Sequence, residues 1–303
     1  MVCTVDHLAS DAGVSLLRAG GSAADAAVAA SAVLAVTTQH MCGMGGDLWA
    51  LVHHADGTAP AALNASGRAG SGADPDALRA EGRTRMRFRN DIRSVPVPGC
   101  VDGWLSLHER YGRVPLAEVL APAIDFASGG FPLSPHGAAA AALLDGVANT
   151  DDYSPQNRPG DLISRPGVAA ALHEIVVGGR EAYYEGGFGR DLIELGSGEY
   201  TTADLARSQA DWVTPLQTDA WGHRLWTVPP NSQGYLTLAG AWIAAGLELP
   251  ADPDDPLFAH LLAEAAKQAG VSIDDGGCAA ISRRPIEADG QAKFVGFTRG
   301  FAI

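Results

Sequence analysis

Residues 22–52 read SAADAAVAASAVLAVTTQHMCGMGGDLWALV, and the way this stretch divides decides the fold. Ser22 and Asp25 stand three apart at its start, the spacing at which two side chains close the first turn of a helix reciprocally. A run of Ala, Val and Leu follows. It is too short and too Ala-rich to span a bilayer, so it reads as a helix buried among other elements. Small side chains on most of its faces let neighbouring backbones come close. Met41-Cys42-Gly43-Met44-Gly45-Gly46 then breaks the helix, and its three glycines open dihedrals and approaches that other residues cannot reach. Residues 48–52, LWALV, form a core strand. A helix fed through a glycine loop into a strand marks a place where something fits tightly.

Working outward, residues 1–5 read as a short β-branched strand. Asp6 opens a helix with Leu8, Ala12, Leu16 and Leu17 on one face, Arg18 in its last turn and Gly20-Gly21 as its stop. Downstream, Asp56-Gly57 is a strong hairpin signal joining residues 48–53 to 60–65. That second strand runs into Asn64-Ala65-Ser66-Gly67-Arg68. A short polar helix is expected at 73–81. Arg83, Arg85, Arg87, Arg89 and Arg93 then read as a solvated edge strand with arginines on one face. Further helices fall at 101–110, 116–128, 168–176, 183–195, 235–245 and 256–269. Between Phe131 and Arg165 only the Ala-rich run 137–144 looks regular. Thr201 and Asp204 form a second capping pair, which makes a helix cap the expected task of Thr201-Thr202. Residues 212–218 and 223–228 alternate like paired strands. The architecture expected is an α/β layered fold. Residues 1–5, 48–53, 60–65, 212–218 and 223–228 share one mostly antiparallel sheet, with helix 23–36 packed against it and residues 73–206 mainly helical. No internal repeat or domain linker is visible.

Composition narrows the partners. The 303 residues carry 21 Lys and Arg against 35 Asp and Glu, a formal charge of −14. That balance argues against nucleic acid or an anionic membrane, and leaves open a small anion held by one local cation. Cys3, Cys42, Cys100 and Cys278 are widely spaced, and read as reduced, mostly buried thiols rather than a zinc site or disulfide framework. The nine histidines show no metal-ligand spacing, so neither metal nor cofactor is expected. His40 is expected to close a hydrogen bond near Gly43, and Cys42 to pack rather than react. The 43–46 loop is followed by a strand, which argues against a phosphate loop. The first residues carry no basic segment or apolar core of a signal, so a cytoplasmic location is the expectation.

Seven collinear blocks carry a resemblance: HLASDAGVSLLRAGGSAADAAVAASAVLAV, HMCGMGGDLWALV, NASGRAG, VPVPGCVDGWLSLHERYGRVPLAEVLAPAIDFASGGFPLS, GGREAYYEGGFGRDL, YTTADLA and VPPNSQGY. They run in order from His7 to Tyr235, within a match that extends over about residues 2–268. The sequence resembles the γ-glutamyltransferase family of N-terminal-nucleophile hydrolases, and within it the large subunit. The resemblance implies an αββα sandwich made by a precursor that cuts itself in two. It also implies a γ-glutamyl substrate such as glutathione, passed to water or an amino acceptor. The nucleophile would be the N-terminal Thr of a small subunit, activated by its own amino group. No catalytic residue is therefore expected within this chain. The large subunit's arginine, which pairs with the substrate α-carboxylate, falls on Arg68, with Gly67 clearing space beside it. Gly43, Gly45 and Gly46 are the loop expected to shape the site. Read alone, an arginine here would simply neutralise an acidic neighbour; the flanking match favours the carboxylate. Residues 1–269 form the family-like domain. Residues 270–303 show no family block and read as a frameshifted or disordered tail. A related amidase of cephalosporin-acylase type and a non-catalytic ligand-binding remnant are the alternatives.

Overall fold

The structure is a computed structural model that describes residues 1–86, 91–144, 147, 150, 152–154 and 156–270, together with the backbone of 282–283 and 295–296. The chain divides into two compact units. The first comprises Met1–Leu48 and Ala65–Asp211; the second comprises Trp49–Asn64 and the chain from Trp212 onward.

The first unit is helical and is built round the stretch quoted above. Helix α1 (His7–Arg18) leads into α2 (Ala23–Thr37). Ser22 accepts from the Asp25 N–H while the Asp25 carboxylate accepts from the Ser22 N–H, so the capping pair forms as its spacing implies. Asp25 does a second task. It is fully buried and also accepts from the backbone N–H of Arg113 at 2.9 Å, tying the start of α2 to the turn at 112–115. Val28, Ala29, Ala32, Val33 and Val36 are all but inaccessible. The principal neighbours of α2 are helices: α1, α4 (Cys100–Tyr111) and α5 (Leu116–Gly129). The small side chains thus serve helix–helix approach, where the sequence led us to expect a sheet. Trp104 of α4 donates its indole N–H to Ser31 at 2.9 Å. α7 (Pro166–Tyr184) packs on α5, and it bends at Gly179, whose φ of 61° and ψ of −142° leave the helical region. Two helices were expected on either side of this glycine pair, and the bend is the physical counterpart of that gap. Between α2 and α4 the unit also holds the short α3 (Pro75–Ala80), where a polar helix was expected, and between α5 and α7 it holds α6 (Pro135–Ala141). Beyond α7 it holds α8 (Gly187–Gly196) and α9 (Thr202–Ala206), the latter capped by Thr201 and Asp204.

The second unit carries β1 (Leu48–Val52), β2 (Ala61–Ala65) and β5 (Asp211–Val213), paired in the order β1-β2-β5. The connection from β1 to β2 runs over residues 53–60, with Gly57 at φ 77° and the Asp56 carboxylate accepting from Thr58. β6 (Leu216–Ala220) and β7 (His223–Thr227) form a separate antiparallel hairpin. The remaining pair, β3 (Phe131–Pro132) with β4 (Leu162–Ile163), is a short clip in the first unit. Helices α10 (Gly234–Ala244) and α11 (Pro256–Gly270) pack together through Ile243, Ala244, Ala265 and Ala269.

Three expectations fail here. Residues 1–5 are not a strand: Val2 lies over Gly13 of α1, and Thr4 bonds with Ser10, so the segment is spent on the start of α1. Residues 212–218 do not make one strand, because Pro215 has no N–H for a ladder and the chain changes sheets there. The five strands therefore fall into separate small sheets. The basic segment is not an edge strand among its described residues. Arg93 bonds Asp91 and Glu81, and Arg83 bonds Glu81, around a 3₁₀ turn at Ile92–Ser94. Those bonds hold the Glu81 and Asp91 carboxyls down at about 2. Arg87 and Arg89 lie outside the described residues, as does the expected tail beyond Gly270, apart from an antiparallel pairing of 282–283 with 295–296. Among the described residues no helix is long and apolar enough to cross a membrane.

Candidate functional site

Arg68 follows β2 and enters the first unit through a backbone bridge in which Val97 donates its N–H to the Arg68 carbonyl at 2.8 Å. Its guanidinium donates from Nη1 to the Ser208 carbonyl at 2.8 Å and from Nη2 to the Asp211 carboxylate. The side chain is 29% exposed. Arg68 thus has the acidic neighbour that the plain reading required, and two bonds commit two of its five N–H donors.

The segment that holds Arg68 is itself pinned from below. Asp102, on the first turn of α4, is only 3% exposed. It accepts from the Gln209 N–H at 2.6 Å and faces Arg180 Nε at 2.9 Å. Arg180 also donates to the carbonyls of Leu205 and Arg207, at 2.7 and 2.6 Å, and lies over the Tyr184 ring. Tyr184 donates its hydroxyl to the Pro98 carbonyl at 2.6 Å. Residues 205–211 are therefore clamped on both sides of Ser208. Burial pushes the Asp102 carboxyl up, opposed by the Gln209 N–H and by Arg180. Sequence reading missed Asp102, Arg180 and Asp211. The available signals were an acid inside the apolar Cys100–Trp104 turn and an arginine directly after the glycine pair of α7.

Gly67 has a positive φ of 83°, and a Cβ built on it would lie 1.9 Å from the Val97 carbonyl oxygen. The space beside Arg68 is filled by the 97–99 backbone. Gly67 is needed for that backbone approach and does not hold an opening for a ligand, as we had expected. Gly99 is equally confined, because its Cβ would meet the Ala65 carbonyl at 2.1 Å. The other glycines behave differently. Added Cβ atoms at Gly43 and Gly45 would meet nothing within 4 Å. Gly46 accepts at its carbonyl from the N–H groups of Gly99 and Cys100, both at 3.0 Å. The 43–46 loop and the Arg68 turn are thus both fastened to residues 97–100. Gly43, Gly45 and Gly46 line a cavity of about 820 Å³ bounded by α2, the start of α7, Tyr183 and Phe188. Arg68 is not in its wall.

Among the described residues His40 makes no hydrogen bond near Gly43, contrary to expectation. Its Nδ1 is buried without a partner, and burial together with the neighbouring His136 lowers its pKa. Cys3 and Cys42 are exposed rather than buried, because they sit in the N-terminal segment and in the loop. Cys100 is buried, which pushes its thiol up to about 12. The loop packed round the Cys42 sulfur partly desolvates it and raises it as well, although the residue as a whole is exposed, so neither thiol is activated. Cys278 lies outside the described residues.

The fold is that of the N-terminal-nucleophile hydrolase class. The profile of the family described as Gamma-glutamyltranspeptidase matches residues 9–273, and the chain belongs to that family. Among curated proteins it is 34% identical over 286 residues to the Glutathione hydrolase-like YwrD proenzyme of Bacillus subtilis, covering 90% of this chain and 54% of that one. It is 33% identical to the Oxamate amidohydrolase proenzyme of Klebsiella pneumoniae, covering 89% of this chain and 53% of that one. The chain spans about half the length of these relatives. Among solved structures it resembles the γ-glutamyltranspeptidase of Helicobacter pylori, with a TM-score of 0.81, 25% identity, and coverage of 88% and 81% of the two chains. It likewise resembles the cephalosporin acylase of Bacillus halodurans, with a TM-score of 0.78, 33% identity, and coverage of 88% and 52%.

Proposed function

We propose that this chain forms the large-subunit half of a γ-glutamyl hydrolase or transferase, and that Arg68 holds the α-carboxylate of the γ-glutamyl substrate. The observation that carries the reading is the state of Arg68. It is a half-buried guanidinium, fixed by Ser208 and Asp211 on a segment clamped by Asp102 and Arg180, with N–H donors left over. A guanidinium positioned in this way offers a carboxylate parallel donors without first ordering a flexible side chain. A bound carboxylate would share the cation with Asp211 or displace it. The nucleophilic Thr and the oxyanion donors are assigned to a small subunit, as the family resemblance implies. No residue of this chain is given a bond-making role.

The test is reconstitution. The 303-residue chain should release no chromogenic amine from a γ-glutamyl anilide; joined with a Thr-led small subunit from a relative, it should do so. In the joined enzyme Arg68→Ala should lower kcat/KM about ten- to a hundred-fold, the equivalent of about 1.5–3 kcal/mol for a charge-assisted pair. Arg68→Lys should recover part of that loss. Unchanged kinetics in Arg68→Ala would place the carboxylate elsewhere. Because oxamate amidohydrolase and cephalosporin acylase are among the similar proteins, the assay should include oxamate and an N-acyl cephalosporin. Faster turnover of either would move the reading to that amide class.

A further inference from the structure

The cavity beside the glycine loop holds a second cation that the carboxylate clamp does not use. Arg165 lines it, 18% exposed. The guanidinium donates once, from Nη1 to the Ala35 carbonyl at 3.3 Å, in the last turn of α2. Asp152 stands 3.9 Å from its Nε in a loose ion pair beyond hydrogen-bond reach, and Nε is buried without a hydrogen-bond partner. The guanidinium lies over the Tyr153 ring with its carbon 5.4 Å from the centroid. Most of the donors are therefore uncommitted among the described residues.

Two further walls present donors to the same space. Arg165 is the N-cap of α7, and Gly167 and Val168, whose N–H groups are orphans of the first turn, also line the cavity. The N–H groups of Gly43 and Gly45, also in the lining, have no acceptor among the described residues. The rest of the lining includes Ala35, Ala171 and Phe188, an apolar surface suited to a hydrocarbon stem. Asp47 also lies in the wall, and it and Asp152 leave the site too little positive charge for a dianion.

We propose that this cavity is an anion site separate from Arg68, and that it takes a small organic monocarboxylate with its charge on Arg165 and its stem against the apolar wall. The inference does not depend on the γ-glutamyl reading. It is tested on the 303-residue chain by ligand-detected NMR titration with butyrate, its neutral isostere butyramide, and inorganic phosphate. Butyrate should bind saturably, at least tenfold tighter than either comparator, and equally well to the Arg68→Ala chain. Arg165→Gln should weaken butyrate tenfold or more. Gly167→Asp should do the same: a Cβ there meets nothing within 4 Å and an acid suits a helix start, so the fold is kept while a negative charge enters the site. If Arg165→Gln melts early, Gly167→Asp decides the matter. The proposal is overturned by absence of saturable butyrate binding, by butyramide or phosphate binding as tightly, or by binding that survives both substitutions. Loss confined to Arg68→Ala would assign the carboxylate to the clamp and likewise overturn it.

Discussion

Arg68 is held by Ser208 and Asp211, and the segment that carries them is held in turn by residues that do not bond the guanidinium. The chain of bonds runs from Ser208 through the Gln209 N–H to Asp102, and from Asp102 to Arg180, which also holds the Leu205 and Arg207 carbonyls just before Ser208. Arg180→Met should therefore destabilise the protein by about 3 kcal/mol or more, since it strands a buried carboxylate. The pH dependence has a definite sign. Burial already raises the Asp102 pKa above its ordinary value, so the native state holds that proton more tightly than the unfolded chain does. Its contribution is complete below the unfolded pKa and is lost as pH rises through the native one. Removing Arg180 raises the native pKa further. The loss of Tm in Arg180→Met should thus be larger at pH 7.5 than at pH 4.5, as measured by thermal melts. A loss independent of pH would mean that the Asp102 charge is not what Arg180 balances. Arg68 itself was visible in the sequence through its flanking block. Asp102 and Arg180 were not, because nothing local links residues that only the fold brings together.

At the scale of elements, legibility followed the range of the interaction. The capping pairs at Ser22–Asp25 and Thr201–Asp204 formed because the i to i+3 geometry is complete within one turn. Ser22→Ala should cost about 1 kcal/mol. Residues 1–5 and 212–218 have strand composition, yet their outcome was set by packing on Gly13 and by Pro215. Glycines show the same division. In sequence Gly43 and Gly67 look alike, but in the fold they are opposites. Gly67→Ala should abolish soluble expression or lower Tm steeply. The left-handed backbone costs about 1–2 kcal/mol, and the Val97 carbonyl must also move. Gly43→Ala should melt within a degree or two of the parent, since its Cβ meets open space and its φ is not positive. Equal melting of the two variants would refute the assigned close approach.

For the whole molecule, the fact to explain is an apolar strand with one face uncovered. Along β1, Leu48, Ala50 and Val52 are half-buried, while Trp49 and Leu51 alternate with them and are each 42% exposed. A strand apolar on both faces belongs in the middle of a layered structure. The chain spans about half the length of its curated relatives, and the proposed small subunit supplies a natural second layer. On that proposal, the outward face of β1 would seat that subunit's sheet. The double variant Trp49→Ser/Leu51→Ser should fold, because neither side chain is in the core. Alone, it should bind less of a hydrophobic fluorescent dye than the parent. Reconstituted with the small subunit, it should associate at least tenfold more weakly, as read by analytical ultracentrifugation, with loss of a buried Trp as the main cause. Parental dye binding together with parental association would show that β1 faces solvent in the assembled enzyme and that the partner's sheet lies against another surface.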